Sequence, residues 1–228
     1  MTHTGITMIA TYIATYNVPL VVLSIVIASI ASYTALNLAG RITVAQGSAR
    51  LLWLAGGASA MGVGIWSMHF IAMLAYELPI PMTYDIPTVL ISMVAAVLAS
   101  VMALFVVSRQ KMKWLQLLLG SIFMGLGIAS MHYIGMVAMR VEAIAQYDSR
   151  MVGLSVASAI CVSAVTLWLA FKLRTQTTLA VNVRKLGSAL IMGNAVAGMH
   201  YTGMVAVRFQ PLPTTPLWSR GAAIPYNG

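Results

Sequence analysis

Six long apolar stretches, separated by short polar gaps, occupy most of the chain: roughly Pro19–Ala39, Leu51–Tyr76, Thr88–Val107, Trp114–Met139, Met151–Phe171 and Leu186–Val207. Each reaches the ~20 residues that a helix rising 1.5 Å per residue needs to cross a bilayer. The pattern therefore predicts six membrane-spanning helices, the second and fourth long enough to tilt or protrude.

The polar and small positions inside these stretches repeat. In the second, fourth and sixth, His69, His132 and His200 each have Met at −8, Gly at −7, Met at −1 and Met at +4. In the first, third and fifth, serines eight apart (Ser24 and Ser32, Ser92 and Ser100, Ser155 and Ser163) are followed by Leu36, Leu104 or Leu167, then by Arg41, Arg109 or Lys172. So many shared offsets mark an internal repeat of about two helices. A unit with two spans returns to its own side, so every copy enters the membrane in the same direction. The expected architecture is all-α: three parallel-repeat helix hairpins (roughly 18–77, 86–140 and 151–208) around a pseudo-threefold axis along the membrane normal. Together they form one domain, 1–208. The glycines and serines suit close helix packing in lipid. Residues 209–228 hold Pro211, Pro213, Pro216 and Pro225 and read as a tail or a truncated linker.

Composition and charge sharpen this. Hydrophobic residues make up 60% and charged residues 7%, against about a quarter charged in soluble domains. The net charge of +9 does not point to nucleic acid, because the basic residues form no patch interleaved with aromatics. Nine of the thirteen lie in the first, third and fifth gaps (Arg41, Arg50; Arg109, Lys111, Lys113; Lys172, Arg174, Arg184, Lys185), and all four acids, Glu77, Asp85, Glu142 and Asp148, lie in the second and fourth. The positive-inside rule then places the basic gaps in the cytoplasm and both termini outside. The segment before Pro19 lacks a charged region ahead of a short apolar core, so it is not expected to be a cleaved leader. Cys161 reads as packing, and His3 as inert.

The repeated histidines carry the candidate chemistry. Each lies eight residues before Glu77, Arg140 or Arg208, which predicts one common depth, ~12 Å below the helix ends. Polar groups at such depth face the protein interior and are functional candidates. Met73, Met136 and Met204 share a helix face with their histidines; Met68, Met131 and Met199 point elsewhere and either serve a neighbouring site or pack. Neutral imidazole with thioether suits copper, above all Cu(I), rather than hard ions. Haem is the second candidate, since both groups serve as axial ligands. A Met-lined copper transporter or channel is a third. A zinc hydrolase is disfavoured, because every acid lies in a connecting gap and metal-assisted hydrolysis needs a nearby base. The chain is not expected to be an enzyme.

Met199-His200-Tyr201-Thr202, with Met131-His132-Tyr133 and Met68-His69, resembles the signature of the MHYT family of bacterial membrane sensor domains. The resemblance covers essentially the whole chain. It implies a multi-pass sensory module of the bacterial inner membrane, with copper held by the Met and His residues and a response to a diatomic gas such as O₂, CO or NO. It also implies a cytoplasmic cyclic-di-nucleotide signalling domain, fused through a seventh span or supplied by a partner. Phe70-Ile71 and Ile134 depart from the signature, so its Tyr and Thr positions are not all required ligands.

Overall fold

The computed structural model describes residues 9–174, 179–212 and 223–226; His3 lies outside them. In chain order the elements are β1 (Ile9–Tyr12), β2 (Thr15–Tyr16), α1 (Val18–Val44), α2 (Gly47–Leu74), β3 (Tyr76–Glu77), β4 (Met82–Tyr84), α3 (Ile86–Val107), α4 (Trp114–Val137), β5 (Met139–Val141), β6 (Ala143–Tyr147), α5 (Ser149–Leu173), α6 (Leu179–Val205), β7 (Val207–Pro211) and β8 (Ala223–Tyr226). Five of the helices, α1 to α5, are long and apolar enough to cross a membrane. The sixth, α6, matches α1 at 27 residues.

The odd-numbered helices start alike. Asn17, Asp85 and Asp148 sit in extended conformation at the N-caps, and their side chains accept from Leu20 N, from Thr88 N and from Arg150 N and Met151 N. These bonds satisfy amide donors that the first helical turn leaves open. The residue before each cap is a tyrosine that pairs with the chain just beyond the next helix: Tyr16 with Tyr76, Tyr84 with Met139, Tyr147 with Val207. The cap amides complete the bracket, donating to Ala75, Ala138 and Ala206 carbonyls at 2.8, 2.9 and 2.8 Å. The second and fourth gaps, read from sequence as loops, thus contain short strands that pair antiparallel with each other and with the segments before α1 and after α6. They also shorten the helices: Glu77, Arg140 and Arg208 belong to strands. The histidines lie five residues, ~7.5 Å, below the helix ends rather than ~12 Å.

Each helix packs along two neighbours, in the ring order α1–α2–α3–α4–α5–α6–α1. The repeated glycines explain how closely. A Cβ on Gly62 would lie 2.6 Å from the Val97 backbone of α3, and one on Gly125 would lie 2.6 Å from the Ile160 backbone of α5. A Cβ on Gly193 would meet the Ser29 backbone of α1 at 2.6 Å. Val97, Ile160 and Ser29 each follow the first serine of the repeated pair in their helix (Ser92, Ser155 and Ser24) by five residues. One offset therefore makes all three contacts between consecutive pairs.

The interior is rich in alanine, serine and methionine, with the three histidines and a few larger apolar side chains such as Leu36, Ile42, Leu104 and Leu167, while Val22, Val26, Ile30, Ile91, Leu98, Phe123 and Ile191 face outward. That distribution suits lipid, where association rests on close backbone approach and interhelical hydrogen bonds rather than on burying large apolar groups. Cys161 is exposed, so it does not pack within this chain: its side of α5 belongs to the outward face. At the end opposite the strands, not every cation is a solvated orientation signal. Arg174 is buried and donates to the carbonyls of Val107, Arg109 and Gln110. It thereby closes the C-terminus of α3, whose last carbonyls have no partner inside the helix.

Candidate metal centre

The ring of helices brings His69, His132 and His200 together. Their ring centroids lie 5.1, 4.9 and 5.0 Å apart, a nearly equilateral triangle, with planes tilted 78°, 78° and 84° to one another. The Nδ1 atoms face inward: His69 Nδ1 is 3.0 Å from His200 Nδ1 and 3.3 Å from His132 Nδ1. Each ring is 1% exposed. Among the described residues this is the one group of three or more His, Cys, Asp or Glu with ligand atoms converging, all within 4.8 Å.

Tautomers alone do not satisfy this cluster. A neutral imidazole has one N–H and one lone pair. Making one Nδ1 a donor leaves two Nδ1 lone pairs facing it and each other. The Nε2 atoms of all three rings are buried without a hydrogen-bond partner among the described residues, a cost that a cation on the Nδ1 side would leave in place. A cation at the centre would take all three Nδ1 lone pairs at once. Three nitrogens bound to a metal at about 2.0–2.1 Å sit ~3.3–3.6 Å apart, close to the spacing seen here.

The seats of the rings follow from position +3 of the repeat. A Cβ on Gly135 of α4 would overlap Nε2 of His69, and one on Gly203 of α6 would overlap Nε2 of His132. The equivalent position of α2 is Ala72, fully buried. Each histidine of α2 and α4 is thus held by the backbone of the next even-numbered helix. Sequence reasoning passed over this position; its signal was a small residue three after every histidine.

The methionines divide into two sets. Met73, Met136 and Met204 lie one turn nearer the strands, in a buried cluster with Tyr12, Tyr76, Met139, Val207 and Phe209. Met68, Met131 and Met199 are also buried, but join other parts of the core. The residue after the histidine does a different job. Tyr133 and Tyr201 hydroxyls meet Ser155 of α5 and Ser24 of α1, each the first of its repeated serine pair, at 2.6 and 3.2 Å. In α2 this residue is Phe70, and the indole of Trp66 reaches Ser92 of α3 instead, at 3.2 Å. Thr202 bonds only its own helix, at Gly198 O. All four acids sit at the strand end, in strands, caps or turns.

Three stretches, 62–120, 125–182 and 193–222, match the MHYT family, described as a bacterial signalling protein N-terminal repeat. The chain belongs to the MHYT family. The first two matched stretches open at Gly62 and Gly125 and run into the following pair of helices, the third opens at Gly193, and these are the glycines that dock one pair on the next. Similar proteins include the bifunctional diguanylate cyclase/cyclic di-GMP phosphodiesterase MucR of Pseudomonas aeruginosa, 50% identical over 197 residues, 86% of this chain and 29% of that protein. The signaling protein YkoW of Bacillus subtilis is 41% identical over 86% of this chain and 24% of its own length. The cyclic di-GMP phosphodiesterase NbdA of Pseudomonas aeruginosa is 38% identical over 92% and 27%. The MHYT chain therefore spans less than a third of each of these relatives. No solved structure matches it.

Proposed function

We propose that this MHYT chain is the membrane-embedded sensory part of a bacterial signalling protein and binds copper through His69, His132 and His200. The convergence of three buried Nδ1 atoms, 3.0 and 3.3 Å apart where they touch, is the observation that carries the reading. Met73, Met136 and Met204 would supply thioether from the strand side, and Met68, Met131 and Met199 would complete or pack the surrounding shell. Bound copper would supply a soft, redox-active centre able to take O₂, CO or NO, or would itself be the signal. The chain's own part is to hold three imidazoles neutral, exclude water and tie each ring's helix to the next pair.

In this reading all six helices span the cytoplasmic membrane as three parallel-repeat hairpins around a pseudo-threefold axis. The strand end and both termini lie outside, and the basic end faces the cytoplasm, as positive-inside loops require. The output is a cytoplasmic cyclic di-GMP domain, fused or partnered, of the kind for which MucR and NbdA are named. A haem reading is weaker, because rings 4.9–5.1 Å apart leave no slot for a macrocycle between them.

Metal analysis and spin resonance of the purified chain, beside an H69A/H132A/H200A variant, test the proposal. Nitrogen hyperfine coupling in wild type whose copper has been oxidised to Cu(II), absent from the variant together with part of the copper, is expected. Equal copper and no nitrogen coupling in either would sink it.

A further inference from the structure

A second convergence lies deeper in the bundle. Met61, Met124 and Met192, at −8 in the three even-numbered helices, line one cavity of about 20 Å³ together with Ser32, Thr166 and small or branched apolar side chains. All three methionines are buried. Eight helical residues separate them from the histidines, a rise of ~12 Å. Between the layers, at −4, come Ile65, Ile128 and Val196, also buried.

We propose that Met61, Met124 and Met192 form a second metal site, separate from the histidine centre, for a soft monovalent ion of the Cu(I) or Ag(I) class. Thioethers are soft neutral donors that select such ions over hard ones. Monovalence follows from the surroundings: all four acids lie at the strand end, so a divalent ion would bring two uncompensated charges into the membrane interior, where even one is costly. The cavity has room for about one water-sized guest. Its two hydroxyls are few partners for a water, which ordinarily makes about three hydrogen bonds. Methionine is a flexible gap-filler, and three of them meeting around a cavity they had the freedom to close is what distinguishes this layer from ordinary core. The −4 and −5 positions vary among Ile, Val, Gly and Ala, whereas −8 is methionine in every copy.

The test counts Cu(I) held by the full chain in nanodiscs, loaded anaerobically and challenged with a chromophoric Cu(I) chelator. Wild type should retain two ions per chain, M61L/M124L/M192L one, and H69A/H132A/H200A one. Leucine keeps the volume of methionine, and the single variant M124L, expected to weaken the second ion at least tenfold and leave the first unchanged, serves should the triple variant not fold. Silver-loaded H69A/H132A/H200A should give an X-ray absorption shell of sulfur alone. Wild-type ion counts in both methionine variants, or a silver shell without sulfur, would overturn the proposal. One ion lost only with the methionines would keep this site and sink the histidine reading; one lost only with the histidines would do the reverse.

Discussion

Helices α2 and α6 carry the same framework of offsets and meet one requirement by different means. In α6, Tyr201 follows the histidine and its hydroxyl ties the helix to Ser24 of α1. In α2 that residue is Phe70, and Trp66, one turn earlier, ties the helix to Ser92 of α3, its indole N–H shared between Ser92 Oγ and Val89 O at 3.2 Å each. Position +3 differs too: glycine in α6 and α4, alanine in α2. The comparison separates two kinds of residue. The tyrosine of the motif is a tether between helix pairs, replaceable by any donor that reaches the same serine. The histidine is kept in all three copies, as a shared ligand of the proposed centre would be.

The largest effect should come from breaking the difference at +3. Gly135→Ala and Gly203→Ala each put a Cβ onto Nε2 of a neighbouring histidine, and overpacking of this kind costs about 1–3 kcal/mol. Both variants should melt earlier in detergent and hold copper less tightly, because the imidazole must move. Ala72→Gly, the reverse change in α2, should cost no more than ~1 kcal/mol in helix propensity and leave copper retention alone. Copper affinity in Gly135→Ala equal to that of wild type would show that the ring seats do not set the centre.

The tether is tested by moving it. Trp66→Phe removes the donor that ties α2 to α3, an interhelical bond of roughly 0.6–1.7 kcal/mol in lipid. Phe70→Tyr alone should change little, since Ser92 already has its partner. In the double variant the new tyrosine should take over Ser92 as Tyr133 takes Ser155, so that much of the loss returns; a thermodynamic cycle measures that coupling. Additive losses would mean that Trp66 acts through packing on Phe70, 5.1 Å away between centroids, and not as a tether. Tyr201→Phe should cost somewhat less than Trp66→Phe, because a single 3.2 Å contact is lost.

Much of this was legible in the chain, and what was not has a physical reason. The offsets around the histidines were visible because duplication kept them, and the structure brings all three imidazoles to one point. The expected roles of the serines were too general: Ser24, Ser92 and Ser155 are landing points for the residue that follows each histidine, or for its substitute. The strands escaped notice because ribbons of two to five residues carry too little alternation to stand out beside helices of 22 to 28. A signal was nonetheless present in Tyr16-Asn17, Tyr84-Asp85 and Tyr147-Asp148, each pair seven residues ahead of a first serine, counted from the cap. Reading the helices through to Glu77, Arg140 and Arg208 was an error of the same origin, since apolar chain continues past the point where the backbone turns extended. Arg174 was counted as an orientation charge, and only three-dimensional contact shows it capping α3.

The smallest effect concerns those caps, where the three pairs differ again: Asn17 opens α1, while Asp85 opens α3 and also faces Arg140 of β5 at 3.4 Å. The hydrogen bonds from Thr88, first the side chain and then the backbone, hold the Asp85 carboxyl below the usual carboxylate range, with Arg140 adding to them. A carboxylate favoured in the folded state stabilises above its unfolded pKa, ~3.9, and loses that contribution as pH falls through the lower folded value. Stability of the wild type should therefore decline as pH drops below ~4, and Asp85→Asn should flatten part of that decline. At neutral pH the variant should differ little, because asparagine caps nearly as well and the ion pair is exposed. Asn17→Asp would not copy this response, because Asn17 Nδ2 donates to Glu77 Oε1 at 3.4 Å; a carboxylate there would face a second carboxylate, and their repulsion opposes the cap, so acid should destabilise this variant no more than it does wild type. Equal pH slopes for wild type and Asp85→Asn would assign the acid response to other groups and leave the three caps equivalent in all but their letters.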